Sequence, residues 1–537
     1  MSKTGVLDCT LRDGAYLVDK WFGASVINGI IDGLIKACVN YIEIGFLQNE
    51  GFGEGKTVYL NGAEAAKFVP KEKQGSMFTV LADYSRYNIN NLDYNNGNTF
   101  DAVRACFFKH ERYKVIDFCK AIKEKGYKVF VQPVDIMGYT DSEIIELLEM
   151  INPIEPYCLS IVDTFGSMYA DDLQRIFYLI HHNLNYECKI GFHSHNNMQM
   201  SNALSQEFIR LAMNKREIIV DSTLCGMGRG AGNTPTELVV QYLNDKLGYS
   251  YNMDALLDVI DIYMTNLRSR CTWGYSIPYF IAGCYSAHVN NVAYLQDKNS
   301  IRSKDIRFIL NSIGVEKRKR YDYDLLEETY LKRIETDIDD SGAMASLKEL
   351  FANKNILLIA PGKNNILQGD KIKSYIEASA PITIAINFMP KEINPDILYF
   401  SNTKRYTACS MNKKFKETSK ILTSNVKTDG EENEYIISFG KLIKCGWNHM
   451  DNSMILFLRL LDCFEPKEIA IAGFDGYDAQ YPNYASVELE INAENAVALN
   501  EEITSMLKDY MNCRKKDTPI FTITDTRFSK IFEGDKT

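Results

Sequence analysis

Histidine is scarce in this 537-residue chain: seven occur, His110, His181, His182, His193, His195, His288 and His449. At that density about 0.1 His-x-His pair is expected by chance, so His193-Ser194-His195 stands out. If this segment closes a strand, both imidazoles project from one face, because side chains alternate with a period of two. They can then share one ion. Neutral imidazoles with a carboxylate suit a divalent metal such as Mn2+, Fe2+, Co2+ or Zn2+, and three protein ligands leave positions open for substrate and water. Taken alone, the pair is equally read as ordinary polar strand residues. What must be found is a carboxylate and a scaffold that brings it to the histidines.

The scaffold is legible as alternation. Apolar or β-branched runs at Val6–Leu11, Tyr41–Phe46, Phe78–Asp83, Ala102–Phe108, Lys128–Val134, Cys158–Asp163, Lys189–His195 and Ile218–Leu224 read as strands. Between them lie helical patterns at Val26–Cys38, Val115–Lys125, Ser142–Met150 and Ala170–His181. Eight such repeats predict a (β/α)8 TIM barrel over residues 1–340, in preference to an open doubly wound sheet. In a barrel the active site forms at the C-terminal ends of the strands. Arg12, Asp13, Glu43, Gln132, Asp163, His193 and His195 all fall in or just after strands. Asp13 is the carboxylate best placed to join the histidines, because in a closed barrel only the eighth strand separates the first from the seventh.

Beyond a boundary near 337–343 a second α/β pattern begins, with strands at Asn355–Ala360, Ile382–Ile386, Ile397–Phe400, Tyr435–Phe439, Glu468–Ala472 and Ile520–Thr524 and helices at Ser453–Cys463 and Ala493–Met511. It predicts a Rossmann-like α/β domain over residues 353–537. Within it, Ile359-Ala-Pro-Gly-Lys363 reads as a turn that could cradle a phosphate, since a glycine turn feeding a helix presents free amides to an anion. Ile471-Ala-Gly-Phe-Asp-Gly-Tyr477 would line the same crevice. The pair faintly resembles Rossmann-like domains that handle nucleotides or sugar phosphates, and such a ligand is the partner expected there. A module for assembly or regulation is the competing reading.

Composition narrows the rest. With 46% apolar and 24% charged residues, the chain can bury large cores. A net charge of −10 excludes a global positive field for nucleic acid or an anionic membrane. The basic run Lys317-Arg318-Lys319-Arg320 is expected to be a solvated helix end. The thirteen cysteines contain no CxxC, which argues against zinc fingers and iron–sulfur clusters. Met1-Ser2-Lys3-Thr4 runs straight into a strand pattern, and no apolar stretch approaches the roughly 20 residues of a membrane span. A cytoplasmic enzyme, expected to be a homo-oligomer, fits these features.

Three motifs sharpen the reading. Asp8-Cys-Thr-Leu-Arg-Asp-Gly14, Gly191-Phe-His-Ser-His-Asn-Asn197 and Gly226-Met-Gly-Arg-Gly-Ala-Gly-Asn233-Thr-Pro-Thr-Glu237 together resemble the metal-dependent TIM-barrel lyases and synthases. That superfamily includes 4-hydroxy-2-oxovalerate aldolase, hydroxymethylglutaryl-CoA lyase and isopropylmalate synthase. The short Gly226–Asn233 loop and Ala282-Gly-Cys-Tyr-Ser-Ala287 are most similar to the aldolase branch. The resemblance implies a divalent-metal-dependent aldolase that cleaves or forms a 4-hydroxy-2-oxo acid through a pyruvate enolate. Asp13, His193 and His195 would hold the metal, with Asn233 a less certain addition. Mn2+ is the metal expected, with Mg2+, Co2+ or Zn2+ as alternatives. Arg12 would stabilise the enolate, and Tyr285 would orient substrate or donate a proton.

One residue departs from the pattern. The aldolases place a histidine three positions after the metal-binding Asp as base for the 4-hydroxyl, and this chain has Tyr16. Three readings stand: Tyr16 is activated by Arg12 and the metal, Glu43 or a metal-bound hydroxide takes the role, or Tyr16 only shapes the pocket. The change also motivates a larger, polar acceptor such as a sugar aldehyde. Asp163 and Gln132 are candidate substrate contacts, although Asp163 could merely cap a turn and Glu43 could be an ion-pair partner. Asp8 and Cys225 read as structural, His181, His182 and His449 as surface residues. The alternatives to an aldolase are an acyl-CoA-dependent Claisen synthase on the same barrel and a binding protein that has lost turnover.

Overall fold

The computed structural model describes residues 3–296, 298, 301–334, 338–428, 430, 433–444, 446–447, 452–479, 483–485, 495–514 and 517–533. His449 lies outside them, as do the first residues of the helix expected at Ala493. The chain divides into two compact units, one comprising Met1–Asp297 with Ser303–Tyr323, the other Lys298–Arg302 with Asp324–Thr537. Among the described residues no helix is long and apolar enough to cross a membrane.

The first unit is a closed parallel barrel. All eight expected strands form: β1 (Thr4–Asp8), β2 (Tyr41–Leu47), β3 (Met77–Asp83), β4 (Ala102–Phe107), β5 (Lys128–Pro133), β6 (Cys158–Asp163), β7 (Lys189–Ser194) and β8 (Ile218–Ser222). β8 pairs with β1 and β1 with β2, which closes the ring. Helices at Ala24–Lys36, Val115–Glu124, Asp141–Ile151 and Ala170–Asn183 cover it. Thr140 opens the third through a capping box with Glu143, and Gly126, at φ +87°, stops the second. A two-residue strand, Val58–Tyr59, also pairs beside Phe46 and Leu47; it is too short to carry a periodic signal.

Several strands stop earlier than their apolar pattern suggests, and the reason is local. At the end of β1 the Asp8 carboxylate accepts a hydrogen bond from the Thr10 amide at 3.0 Å, while the Arg12 and Asp13 amides turn back onto the Cys9 carbonyl. Asp8 is buried, and Thr236 donates to its other oxygen. Arg12 and Asp13 therefore leave the sheet in a tight turn over the barrel mouth. β2 shifts register between Glu43 and Phe46. Gly45 adopts φ +147° there, and a Cβ would stand 2.2 Å from the Thr57 carbonyl oxygen.

The basic run closes a short helix, Val315–Arg318, and Lys317 and Arg320 are exposed as expected, but its middle two residues are held. Lys319 pairs with Asp135 at 2.7 Å, and Arg318 donates to the Tyr285 carbonyl at 2.6 Å while lying over its ring. An acidic side chain just after β5 and an aromatic face supply the partners that the sequence could not reveal.

The second unit holds a seven-stranded parallel sheet: β9 (Asn355–Ile359), β10 (Ile382–Ile386), β11 (Ile397–Phe400), β12 (Ser419–Thr423), β13 (Glu434–Ile437), β14 (Glu468–Ala472) and β15 (Ile520–Thr522), in the order β13-β12-β11-β10-β9-β14-β15. β12 escapes sequence reading because only Ile421 and Leu422 are apolar among its five residues. Alternate residues of β9 serve two cores, Ile356 and Leu358 on one face, Leu357 and Ile359 on the other, as a sheet covered on both sides requires.

Gly45→Ala is expected to destabilise the barrel by about 1–3 kcal/mol, since it combines an unfavourable φ with a close backbone contact. The shift of the urea unfolding midpoint reads it, and an unchanged midpoint would remove the bulge from the account.

Candidate metal centre

Asp13, His193 and His195 converge at the barrel mouth, with one potential ligand atom from each lying within 4.8 Å of the others. The Nε2 atoms of His193 and His195 stand 3.7 and 3.5 Å from Asp13 Oδ2. Their other nitrogens are already held: His193 Nδ1 meets Asp221 Oδ2 at 3.1 Å, and His195 Nδ1 meets the Asp163 carbonyl at 3.0 Å. Each acceptor fixes the tautomer with the proton on Nδ1, which turns a lone pair on Nε2 toward Asp13. Burial lowers the His193 pKa despite Asp221, keeping the ring neutral as a ligand must be. Burial raises the Asp13 carboxyl, but Arg12 and then the histidines outweigh it and hold Asp13 well below its ordinary value. The Asn233 amide donates to Asp13 Oδ2 at 2.6 Å, yet its own Oδ1 is buried without a partner. A deprotonated carboxylate, two neutral imidazoles and an orphaned amide oxygen form a donor set that fits a divalent cation.

This centre sits on a closed ring of charges. Arg12 donates through Nη1 to Asp13 and through Nε to Glu43, both at 2.7 Å. Arg104, fully buried, bridges Glu43 at 3.0 Å and Asp221, which returns to His193. Arg104 and Asp221 were not anticipated. The signal was available in each case: a lone charge within an apolar strand, Ala-Val-Arg-Ala-Cys-Phe in β4 and Ile-Ile-Val-Asp-Ser in β8, must be paired to be buried.

Residues 101–265 match the HMGL-like family. The chain is 26% identical over 287 residues to an oxaloacetate decarboxylase of Mycobacterium tuberculosis, covering 51% of this chain and 79% of that one. It is 24% identical over 376 residues to a 4-hydroxy-2-oxovalerate aldolase of Pseudoalteromonas translucida, covering 66% and 98%. The matched residues lie within the barrel. An HMG-CoA lyase structure from Brucella melitensis is similar at a TM-score of 0.41 and 14% identity, over 50% of this chain and 100% of that one.

In this barrel the other expected residues are placed unequally. Glu43 is bound by two arginines through Oε2, while Oε1 is buried without a partner. Gln132 is buried, and its amide is satisfied with the oxygen facing Arg104, at 2.9 and 3.0 Å from Nη2 and Nε. Asp163 accepts from the Ser167 amide at 2.9 Å and from Ser194, and burial pushes its carboxyl up to about 6. Tyr285 lies beneath Arg318, and among the described residues no hydrogen bond joins it to the triad. Tyr16 packs edge-on against Phe46, with the Arg229 guanidinium 3.9 Å above its ring. Burial raises the Tyr16 pKa although Arg229 and Arg12 pull it down. That direction opposes a phenolate base. His288 is likewise kept neutral, lowered to about 3 by burial.

In the second unit the Pro361–Lys363 turn is not a free phosphate cradle. The Gly362 amide donates to the Gly473 carbonyl, that of Lys363 to Asn483, and that of Asn364 to Asp475 Oδ2 at 2.8 Å. The Asp475 carboxylate takes up an amide that an anion would need. Burial pushes Asp475 up to about 6, against the pull of the Asn364 amide and Lys363.

Two outcomes follow from these contacts. Asp221→Asn should weaken Mn2+ binding to the metal-stripped chain by about 10–100-fold, as loss of a ligand-orienting partner does elsewhere; calorimetric titration giving unchanged affinity would show that His193 does not depend on it. Asp475 has a folded-state pKa above its ordinary 3.8, so the folded chain binds that proton first and loses stability as pH rises from about 4 to 6. Asp475→Asn should flatten this fall in urea unfolding measured across that range, and an identical pH dependence in both proteins would refute it.

Proposed function

We propose that the chain is a divalent-metal-dependent aldolase that interconverts a 4-hydroxy-2-oxo acid with pyruvate and an aldehyde, sugar aldehydes included. The observation that carries this reading is the juxtaposition of the Asp13–His193–His195 donor set with the anchored Arg12 guanidinium. In the cleavage direction the 4-hydroxyl releases its proton to solvent, the C3–C4 bond breaks with its electron pair left on the three-carbon fragment as pyruvate enolate, and the enolate carbon takes a proton back from solvent to give pyruvate. A bound Mn2+ would polarise the 2-oxo group as a Lewis acid. Arg12 spends Nη1 and Nε on Asp13 and Glu43, which leaves Nη2 without a partner among the described residues and free to donate to the substrate oxygen where negative charge grows. Tyr16 retains its proton on the phenol oxygen and serves as a hydrogen-bond donor at the 4-oxygen.

The upward displacement of the Tyr16 pKa also favours a second reading. Decarboxylation of a 2-oxo diacid such as oxaloacetate passes through the same enolate and needs no base at a 4-hydroxyl. The resemblance to the mycobacterial decarboxylase agrees with it.

Pyruvate formation, measured with Mn2+ and with chelator, should be metal-dependent with 4-hydroxy-2-oxo acids and fall about 100–1,000-fold in Arg12→Ala, the range seen when one charge-stabilising donor is removed. Turnover of oxaloacetate alone would establish the decarboxylase, release of CoA thiol from acetyl-CoA a Claisen synthase. No turnover of any of these would leave a binding protein.

A further inference from the structure

We infer that the aldehyde fragment carries an anionic group, a carboxylate or a phosphate, bound by Arg229. This inference rests on the aldolase reading and names the substrate class that the same site takes.

Five cations around the barrel mouth are committed. Arg12 is held by Asp13 and Glu43, Arg104 by Glu43 and Asp221, Lys109 by Glu143 and the Gly138 carbonyl, Lys319 by Asp135, and Arg318 by the Tyr285 carbonyl. Arg229 is not held in this way: among the described residues its guanidinium has neither a carboxylate nor a carbonyl partner, and it lies on the face of Tyr16. A partly buried guanidinium gives up hydration, and an aromatic face replaces little of it because five N–H donors remain to be satisfied. A planar fork of this kind matches carboxylate and phosphate oxygens.

Its position is fixed rather than incidental. The Gly226–Asn233 loop packs against the turn after β1 at three points: Met227 lies where a Cβ on Gly14 would clash, Arg229 covers Tyr16, and Asn233 bonds Asp13. The loop is tied to the segment after the histidines as well, since the Asn196 amide donates to the Gly232 carbonyl at 2.8 Å and the Ala231 amide donates to Asn197 at 3.1 Å. Gly230, at φ +67°, lies so close to Asn197 and Val289 that a Cβ would meet either at 2.8 Å. With the 2-oxo acid end at the metal and Arg12, and the 4-oxygen at Tyr16, Arg229 stands beyond Tyr16 where the remainder of the aldehyde must lie. The electrostatic reach agrees: Arg229 acts on both Tyr16 and His288, and His288 also feels His195.

The test is pyruvate release by the Mn2+-loaded full chain from three 4-hydroxy-2-oxo acids that end in a methyl group, a carboxylate and a phosphate. One of the two anionic members should exceed the methyl member in kcat/KM by about tenfold or more, the range of a charge-assisted hydrogen bond, and which one does so identifies the group. Arg229→Ala should reduce that preference ratio at least tenfold, and Arg229→Lys should retain part of it while remaining folded by circular dichroism. Equal cleavage of all three, or an Arg229→Ala ratio equal to that of the wild type, overturns the inference and leaves the aldolase reading standing. No pyruvate from any member overturns both.

Discussion

Arg104 stands between Glu43 and Asp221 with no access to water, and the face that carries the candidate metal ligands depends on that arrangement. A guanidinium in a barrel interior is tolerable only if acceptors surround it, and here the acceptors are also the groups that aim the reactive residues. Glu43 orients Arg12, and Asp221 orients His193. Taking away one member would strand another charge in a dry interior, a loss of about 3–5 kcal/mol for a buried pair broken on one side. Structure and chemistry thus share the same side chains, and the ring cannot drift without disturbing both.

Around this ring the barrel supplies position through where its strands end. Asp8 terminates β1 by capturing the Thr10 amide, and Arg12 and Asp13 are consequently held in a turn. β7 ends at Ser194, so His195 leaves the sheet and is caught by the Asp163 carbonyl and by a bridge to Asn233. The candidate ligands are therefore held in two ways: Asp13 and His195 by turns beyond the strand ends, His193 within β7 itself.

Much of this was legible in the sequence, and the failures have physical causes. The alternation of apolar runs revealed all eight barrel strands, because a strand buried on both sides must be apolar along most of its length. Scarcity and spacing set His193 and His195 apart, and the barrel order pointed to Asp13. Arg104 and Asp221 escape sequence reading because both lie within apolar strands and act through partners. The Pro-Gly turn was misread for the opposite reason: a turn shape implies free amides, and whether they are free depends on Asp475, more than a hundred residues away. Tyr16 could be seen as a departure from the aldolases, but the guanidinium on its face required the fold.

The ring also bears on how the barrel assembles. Arg104 comes from the fourth strand and Asp221 from the eighth, so their union waits on the last strand of the barrel to dock beside the first. Until then the interior holds charges that water must solvate, and a half-built barrel has no dry core to gain. Closure is thereby made cooperative: the amides of β4 should be protected from exchange only when β8 is in place, and a barrel opened between β8 and β1 would flood from the centre outward rather than fray at one edge.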